Sequence, residues 1–418
     1  MRIVTVKDAA SKKAFLELGR TLYRDDPEYT PALDIEIENT FNPRKNKSHQ
    51  HGESIRFLLL DELDRPIGRI GAFYDHRKFG RNPHKVGGVG FFECVDNEVA
   101  AHLLFDAARN WLEGKGCEGM DGPVNFGANH MNWGLLVEDF HATSIGMPYS
   151  KPYYQRLFEG YGFNVFFKQQ SREMDLTRPM PERFAKVTQY AMERHQITIK
   201  PALREELDSL VKDFVLIFNE GWQFHEGFIP LTEREVKEIL AELKKIYIED
   251  LFRFAYVNGE AAGFMIALPD LNQIFKPYRG KPGIWGFLKF VIRKRNNYRS
   301  YLQSGQLDRI RLLIMGVRPK FQKLGLDAVM SYDARERFYQ LGFKRIELSW
   351  VGDFNPKMLS LMEATGAHTS CMHHTYRFMF DPALRQTYSM VIPMDTKERY
   401  LQEQGHEGKS QFEEIPEP

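Results

Sequence analysis

RIRLLIMGVRPKFQKLGLDAV, residues Arg309–Val329, carries the sharpest structural signal in this 418-residue chain. Its apolar run reads as a strand to Val317, Pro319 stops that strand, and Gln322-x-x-Gly325 opens a helix. At such a junction the first amide N–H groups of the helix have no intrahelical partner and face outward, which favours a phosphate. Gly325 permits close backbone approach, and Lys320 and Lys323 add positive charge.

Outward from this stretch, one order of elements occurs twice. Strand-like Arg2–Val6 precedes a helical pattern over Ala9–Tyr23, and Ile197–Lys200 precedes another over Glu205–Phe218. FLLLDELDRPIGRIGAF (Phe57–Phe73) and FRFAYVNGEAAGFMIAL (Phe252–Leu268) each read as a hairpin, the second turning at Asn258–Gly259. Gly68 and Gly263 fall at equivalent places after the two turns. Gly88–Val95, a helix over Ala100–Glu113 and a strand near Gly119–Val124 answer to Arg309–Val317, a helix over Leu326–Tyr339 and the strand Arg345–Val351. Each half then has a short helix (Tyr153–Phe163, Pro356–Ala367) and a closing strand (Val165–Leu176, His373–Asp381). The pattern predicts an internal duplication, each half β-α-β-β-β-α-β-α-β: an α/β fold with a mixed central sheet flanked by helices. Residues 1–178 form the first half, 179–196 a linker helix, 197–394 the second half and 395–418 an acidic tail. Two insertions break the symmetry, Asn125–Ser150 in the first half and residues 269–308 in the second.

Val317, Gln322 and Gly325 make the second half resemble the GNAT superfamily of acyl-CoA-dependent N-acyltransferases. That family's signature is a strand ending in valine, then Gln/Arg-x-x-Gly-x-Gly/Ala at a helix start. YRDDPEYTP, GFFECVDNEV and ALPDLNQ resemble a bacterial group of tandem GNAT proteins. The resemblance implies an acyl-CoA site, acetyl-CoA by default, built by Met315, Val317, Gln322, Lys323, Leu324, Gly325, Leu326, Asp327 and Asn355. It implies oxyanion donors among the backbone N–H groups of Met315–Val317, with the pantetheine arm where the fourth and fifth strands part. Three positions depart from the pattern: Asp327 replaces a Gly or Ala, Met362 stands where a helix Tyr often acts as acid, and Ala367 replaces a Phe. The first half has only Asp96–Val99 where the loop would be, and Lys151 where the Asn would be. The resemblance therefore implies a degenerate first domain that shapes a cleft.

The implied reaction is acyl transfer to an amine of a small molecule or peptide. As base, Glu347 and Glu93 sit on strands and either take a proton through water or pair with a neighbouring Arg or Lys. Asp327 is a third candidate, already explained as a partner of the helix dipole. Trp222, His225 and Glu226 either shape an acceptor pocket, with His225 titrating, or pack on the sheet. FGANHMNW (Phe126–Trp133) either lines an inter-domain cleft or finds partners within the fold. A non-catalytic acyl-CoA-binding scaffold is the competing class, favoured by Asp327, the missing helix Tyr and the siteless first half. Transfer from an aminoacyl-tRNA or a carrier protein is a further alternative.

With 43% apolar and 13% aromatic residues, the chain can build packed cores. Fifty-seven Lys+Arg against 56 Asp+Glu argue against a general polyanion binder, so no DNA partner is expected. Three scattered cysteines form neither a disulfide framework nor a zinc spacing, and of Cys371, His373 and His374 only two could share a strand face, so no metal is expected. Free thiols and the absence of a signal-like start predict a cytoplasmic protein. The charge balance hides one patch: residues 276–311 hold ten Lys/Arg and one acid, Asp308. That segment is read as a helical insertion solvated on one face, as charge for phosphates, or as a weak contact with an anionic membrane through residues 284–299.

Overall fold

The computed structural model describes residues 1–79, 84–127, 131–223, 228–244, 246–295 and 298–385. The acidic tail expected over 395–418 lies outside them, as does His225. The first half runs β1 (Arg2–Thr5), α1 (Ala9–Leu22), α2 (Asp34–Thr40), β2 (Gly52–Leu60), β3 (Pro66–Asp75) and a single turn α3 (His76–Phe79). It continues with β4 (Val86–Cys94), α4 (Glu98–Glu113), β5 (Gly119–Gly122), β6 (Leu135–Glu138), α5 (Tyr154–Tyr161) and β7 (Asn164–Asp175). After the linker helix α6 (Glu182–Arg194) come β8 (Ile197–Pro201), α7 (Leu207–Trp222), α8 (Glu233–Leu243), β9 (Phe252–Val257) and β10 (Glu260–Pro269). The basic insertion holds α9 (Leu271–Phe275), α10 (Gly283–Arg293) and α11 (Arg299–Gln303). The chain then forms β11 (Arg309–Val317), α12 (Leu326–Gln340), β12 (Arg345–Gly352), α13 (Pro356–Ala364) and β13 (His368–Met379).

The duplicated order is present in three dimensions. The β9–β10 hairpin turns at Asn258 (φ 51°) and Gly259 (φ 81°), the left-handed pair that a type I′ turn requires. The matched glycines also behave alike: a Cβ on Gly68 would lie 2.6 Å from Leu104 of α4, and one on Gly263 would lie 3.0 Å from Met330 of α12. In both halves the helix after the parallel strand therefore rests directly on a glycine of the preceding hairpin.

Chain order and spatial order part at the closing strands. All strands join one sheet in the order β1-β2-β3-β4-β5-β13-β7-β12-β11-β10-β9-β8, with β6 paired to β13. Thus β7, the last strand of the first half, pairs with β12 of the second, while β13 crosses to pair with β5. The cores follow this exchange. Met174 and Leu176 are buried among second-half residues, and Tyr376, Phe378 and Phe380 among first-half residues. A division at 178/197 follows the polypeptide; hydrophobic packing interlocks the two halves.

Phe378 is buried between Phe163, Tyr161 and Phe380. Phe378→Ala is expected to destabilise the first-half core by about 3–5 kcal/mol despite its place near the end of the described chain. Urea unfolding followed by separate probes in the two halves should show one coincident transition, and a variant that melts only the second half would contradict the interlock.

Candidate active site

Two strands that begin as neighbours separate at the centre of the second half. β11 and β12 pair in parallel only from Arg309–Leu312 against Arg345–Leu348. Beyond that point β11 stays with β10 up to Val317↔Gly263, whereas β12 follows β7 up to Gly352↔Gln169. Arg318 N–H donates to Ala262 O of the β10 side at 2.9 Å. Backbone direction alternates along a strand, so the N–H groups of Val317 and Met315 point the other way, into the opening.

On the helical face this opening is a crevice between α12 and α13. Its walls include Leu312, Leu348 and five methionines, Met174, Met265, Met315, Met358 and Met362. About 30 Å³ of it is free, room for one or two waters, so anything larger must part these flexible side chains.

The loop from Val317 to α12 forms one lip. A 3-10 turn, Pro319–Leu324, ends at Gly325 (φ 68°), and α12 starts with no side-chain cap. Gln322 ties the loop to the strand by donating from Nε2 to Val317 O at 3.3 Å. Lys320 pairs with Glu260 at 2.5 Å, Lys323 is exposed, Leu324 packs partly against the core and Leu326 is buried. Asp327 turns back on its own backbone: Oδ1 accepts from Ala328 N–H at 2.9 Å, and burial pushes the carboxyl upward. It thereby occupies one first-turn amide of the helix. Asn355 makes the facing lip, capping α13 with Oδ1 accepting from Met358 N–H at 3.2 Å.

The sheet's other face carries a buried polar stripe. Glu347, 1% exposed, projects there because its neighbours Ile346 and Leu348 face the crevice. Ser144 Oγ donates to Glu347 Oε1 at 2.5 Å, while Oε2 has no hydrogen-bond partner among the described residues. Arg311, opposite Glu347 in the ladder, donates to Ile145 O (2.6 Å) and Ser349 Oγ (2.9 Å). Arg309 pairs with the fully buried Asp270 at 2.7 Å, and Asp270 accepts from Ile145 N–H at 2.8 Å. Burial raises the Asp270 carboxyl, with Arg309 opposing. The first-half insertion thus lies across the second-half strands through Ser144 and Ile145. Further along, His373 Nε2 donates to Pro148 O at 2.9 Å with Cys371 Sγ 3.8 Å from Nδ1; burial lowers His373 to about 4 and raises Cys371 to about 12.

The sequence candidates therefore separate. The nine coenzyme candidates fall on the two lips and on the strand between them. Glu347 stands across the sheet from the methionines. Glu93 is four strands away, roughly 19 Å. It accepts from Tyr154 OH at 2.7 Å and Arg69 at 3.4 Å in the first-half core, where burial raises its carboxyl. Trp222 covers Gly316, where a Cβ would come within 2.4 Å of its ring. Of the Phe126–Trp133 loop, Trp133 donates to Thr375 Oγ1 at 3.1 Å, and residues 128–130 lie outside the described set. Ser144, Ile145, Asp270, Arg309 and Arg311 were missed. The available signal was two arginines alternating in an apolar strand, which demand buried partners on one face.

No family model matches the chain. Two curated proteins are similar along most of their lengths. Protein YghO of Escherichia coli K12 is 26% identical over 386 residues, covering 87% of this chain and 92% of that protein. The bacterial ceramide synthase of Caulobacter vibrioides is 26% identical over 395 residues, covering 92% and 98%. Among solved structures, a GCN5-related N-acetyltransferase from Sphaerobacter thermophilus superposes with a TM-score of 0.51 at 12% identity, covering 91% of this chain and 96% of that one. A tandem GNAT protein from the clavulanic acid biosynthesis pathway gives 0.51 at 9% identity, covering 91% and 99%. The glucosamine N-acetyltransferase region of a fungal multidomain protein gives 0.55 at 12% identity; this chain spans 38% of that protein. The fold is that of the GNAT N-acetyltransferases, in tandem.

His373 gives this seam a pH signature. Its folded value near 4 lies below the ordinary 6.5, so the unfolded chain binds the proton first as pH falls. The neutral ring's contribution is fully present above pH 6.5 and is lost towards pH 4. Between pH 7 and 5 it removes about 2 kcal/mol. Comparing urea midpoints at both pH values, His373→Asn should lose less stability over this interval than the parent by that amount.

Proposed function

We propose that the chain is an acyl-CoA-dependent N-acyltransferase whose donor carries a long acyl chain and whose acceptor is the amine of a lipid-like amino alcohol. The observation that carries this reading is the opening between β11 and β12. A turn suited to a pyrophosphate stands at its lip, two strand N–H groups border it, and five methionines line its wall. Unbranched, polarizable methionine adapts to a flexible chain, which favours long acyl donors over acetyl. The acceptor class is supported by the Caulobacter relative named as a ceramide synthase, since a ceramide is a long-chain amino alcohol acylated on nitrogen.

The chemistry needs a neutral amine, a home for the oxyanion and a leaving thiolate. The amine nitrogen attacks the thioester carbonyl, the C–N bond forms, and the oxyanion accepts from the N–H groups of Met315 and Val317. The C–S bond then breaks and the thiolate is protonated from solvent. An alkylammonium loses its proton only near pH ~10 unaided, so a base is required. We assign that role to Glu347: it faces the side opposite the methionines, one residue before the end of the shared ladder, with Oε2 unpartnered. Access for the amine requires the 142–148 segment to lift. Three buried free thiols and an acyl-CoA donor fit a cytoplasmic setting.

A second reading, acyl-CoA binding without turnover, is favoured by two observations. Asp327 already occupies an amide that a phosphate would use, and Met362 buries an apolar group where an acid would be needed. Thermal-shift titration with acetyl-CoA and palmitoyl-CoA separates the possibilities when paired with a thioester assay on sphinganine. Palmitoyl-CoA is expected to raise the melting temperature more than acetyl-CoA. Gly325→Tyr, which strains the left-handed turn and fills the phosphate approach, should abolish both shifts. Absence of any shift in the parent chain removes the donor assignment, and a shift without turnover selects the second reading.

Glu347→Gln is expected to lower kcat/KM at neutral pH by about 10²–10⁴ while leaving the palmitoyl-CoA shift unchanged. Full activity in that variant would transfer the base role to another group.

A further inference from the structure

The basic insertion departs from the solvated helix that its sequence first suggests. α10 is seated on the protein by Gly286, where a Cβ would lie 2.8 Å from the Tyr278 ring, and by buried Phe290 against Phe275 at 5.0 Å. Arg293 is also turned inward, over the Tyr301 ring at 4.4 Å and bonded to Gln306 at 3.1 Å. These contacts fix the helix's rotation. At 100° per residue, Ile284, Trp285, Leu288, Val291 and Ile292 then fall on the opposite, outward face.

That outward face is apolar where a solvated helix should be polar. Ile284 is 85% exposed and Trp285 81%, and Leu288, Val291 and Ile292 are also exposed. Six of the sixteen large apolar side chains exposed among the described residues lie in these eleven residues, so the cluster is not the scatter normal for a protein surface. Exposed Lys289 flanks the stripe, and exposed Arg279, Lys281, Arg295 and Arg299 stand near its ends, with Lys281 paired to Glu17.

We infer that α10 is a membrane-surface docking helix, laid flat in the headgroup layer of an anionic phospholipid bilayer. Its apolar stripe enters the acyl boundary, and the bases beside it meet lipid phosphates. Charge complementarity selects this occupant. A second copy of the chain would bring together two faces that each carry exposed Arg279, Lys289, Arg295 and Arg299 around the stripe. Spanning is ruled out for this helix by length, since eleven residues reach about 16 Å of a core about 30 Å thick. The inference stands apart from the proposed reaction and needs no turnover to be tested.

The test is flotation of the full chain with phosphatidylcholine vesicles, with and without 30% phosphatidylglycerol, beside sedimentation velocity of the free protein. Binding is expected on the anionic vesicles, weakening several-fold in ~0.5 M salt as surface charge is screened. The triple variant Ile284→Ser, Trp285→Ser, Leu288→Ser should melt near the parent and bind those vesicles at least about tenfold more weakly. Lys289→Glu with Arg295→Glu provides an independent variant should the first fail to fold, and it should also lose anionic-vesicle binding. No binding to anionic vesicles overturns the proposal, as does equal binding by both variants. A parent dimer that the serine variant dissolves, without vesicle binding, assigns the face to a second copy instead.

Discussion

β12 cannot follow two neighbours that diverge. β10 holds β11 along its whole length, while β7 holds β12, and the parallel ladder between them ends after four residue pairs. The gap is forced by the choice of partners on either side, since each strand gains a full antiparallel ladder by leaving the other. The crevice, the rim of strand N–H groups and the two helix starts all derive from that separation. Because β7 belongs to the first half of the chain, the opening in the second half is set by a strand that the second half does not encode.

The first half contributes on the opposite face too. Its insertion crosses the seam through Ser144, Ile145 and Pro148, whose side-chain and backbone groups hydrogen-bond Glu347 Oε1, Arg311, Asp270 and His373 and leave Glu347 Oε2 open. Such contacts offset the cost of burying charge, and removing one partner typically costs about 3–5 kcal/mol. The first half therefore serves as a structural complement: it supplies acceptors and donors to the strands that carry the candidate chemistry. The same contacts explain why Glu93 and Glu347, equivalent in kind when read as acids on strands, have unlike surroundings.

Local features were legible in the sequence because local forces decide them. Asn258–Gly259 specifies its turn by backbone conformation alone, Gly325 marks the left-handed start of α12, and the repeated order of elements survives without obvious identity. The strand exchange was not legible. Val165–Leu176 and His373–Asp381 read as strands, but a strand's own sequence does not say which half it completes. Glu347 as a carboxylate under a covering loop, and Asp327 bonded to its own helix, depend on side-chain geometry that spacing does not encode. α10 shows the reverse case. Its helical and basic character was visible, but which side faced the protein was settled only by Gly286 and Phe290.

The exchange also bears on synthesis. Tyr376 lies opposite Gly122 in the sheet and is buried in the first-half core, yet 254 residues separate the two along the chain. A ribosome delivering the chain from its N-terminus therefore releases an unfinished sheet, with β5 lacking its neighbour until β13 emerges. Vectorial, domain-by-domain folding is closed to this architecture, and the exposed β5 edge is a standing invitation to wrong pairing throughout translation. Pairing across so long a separation raises the contact order, which slows folding.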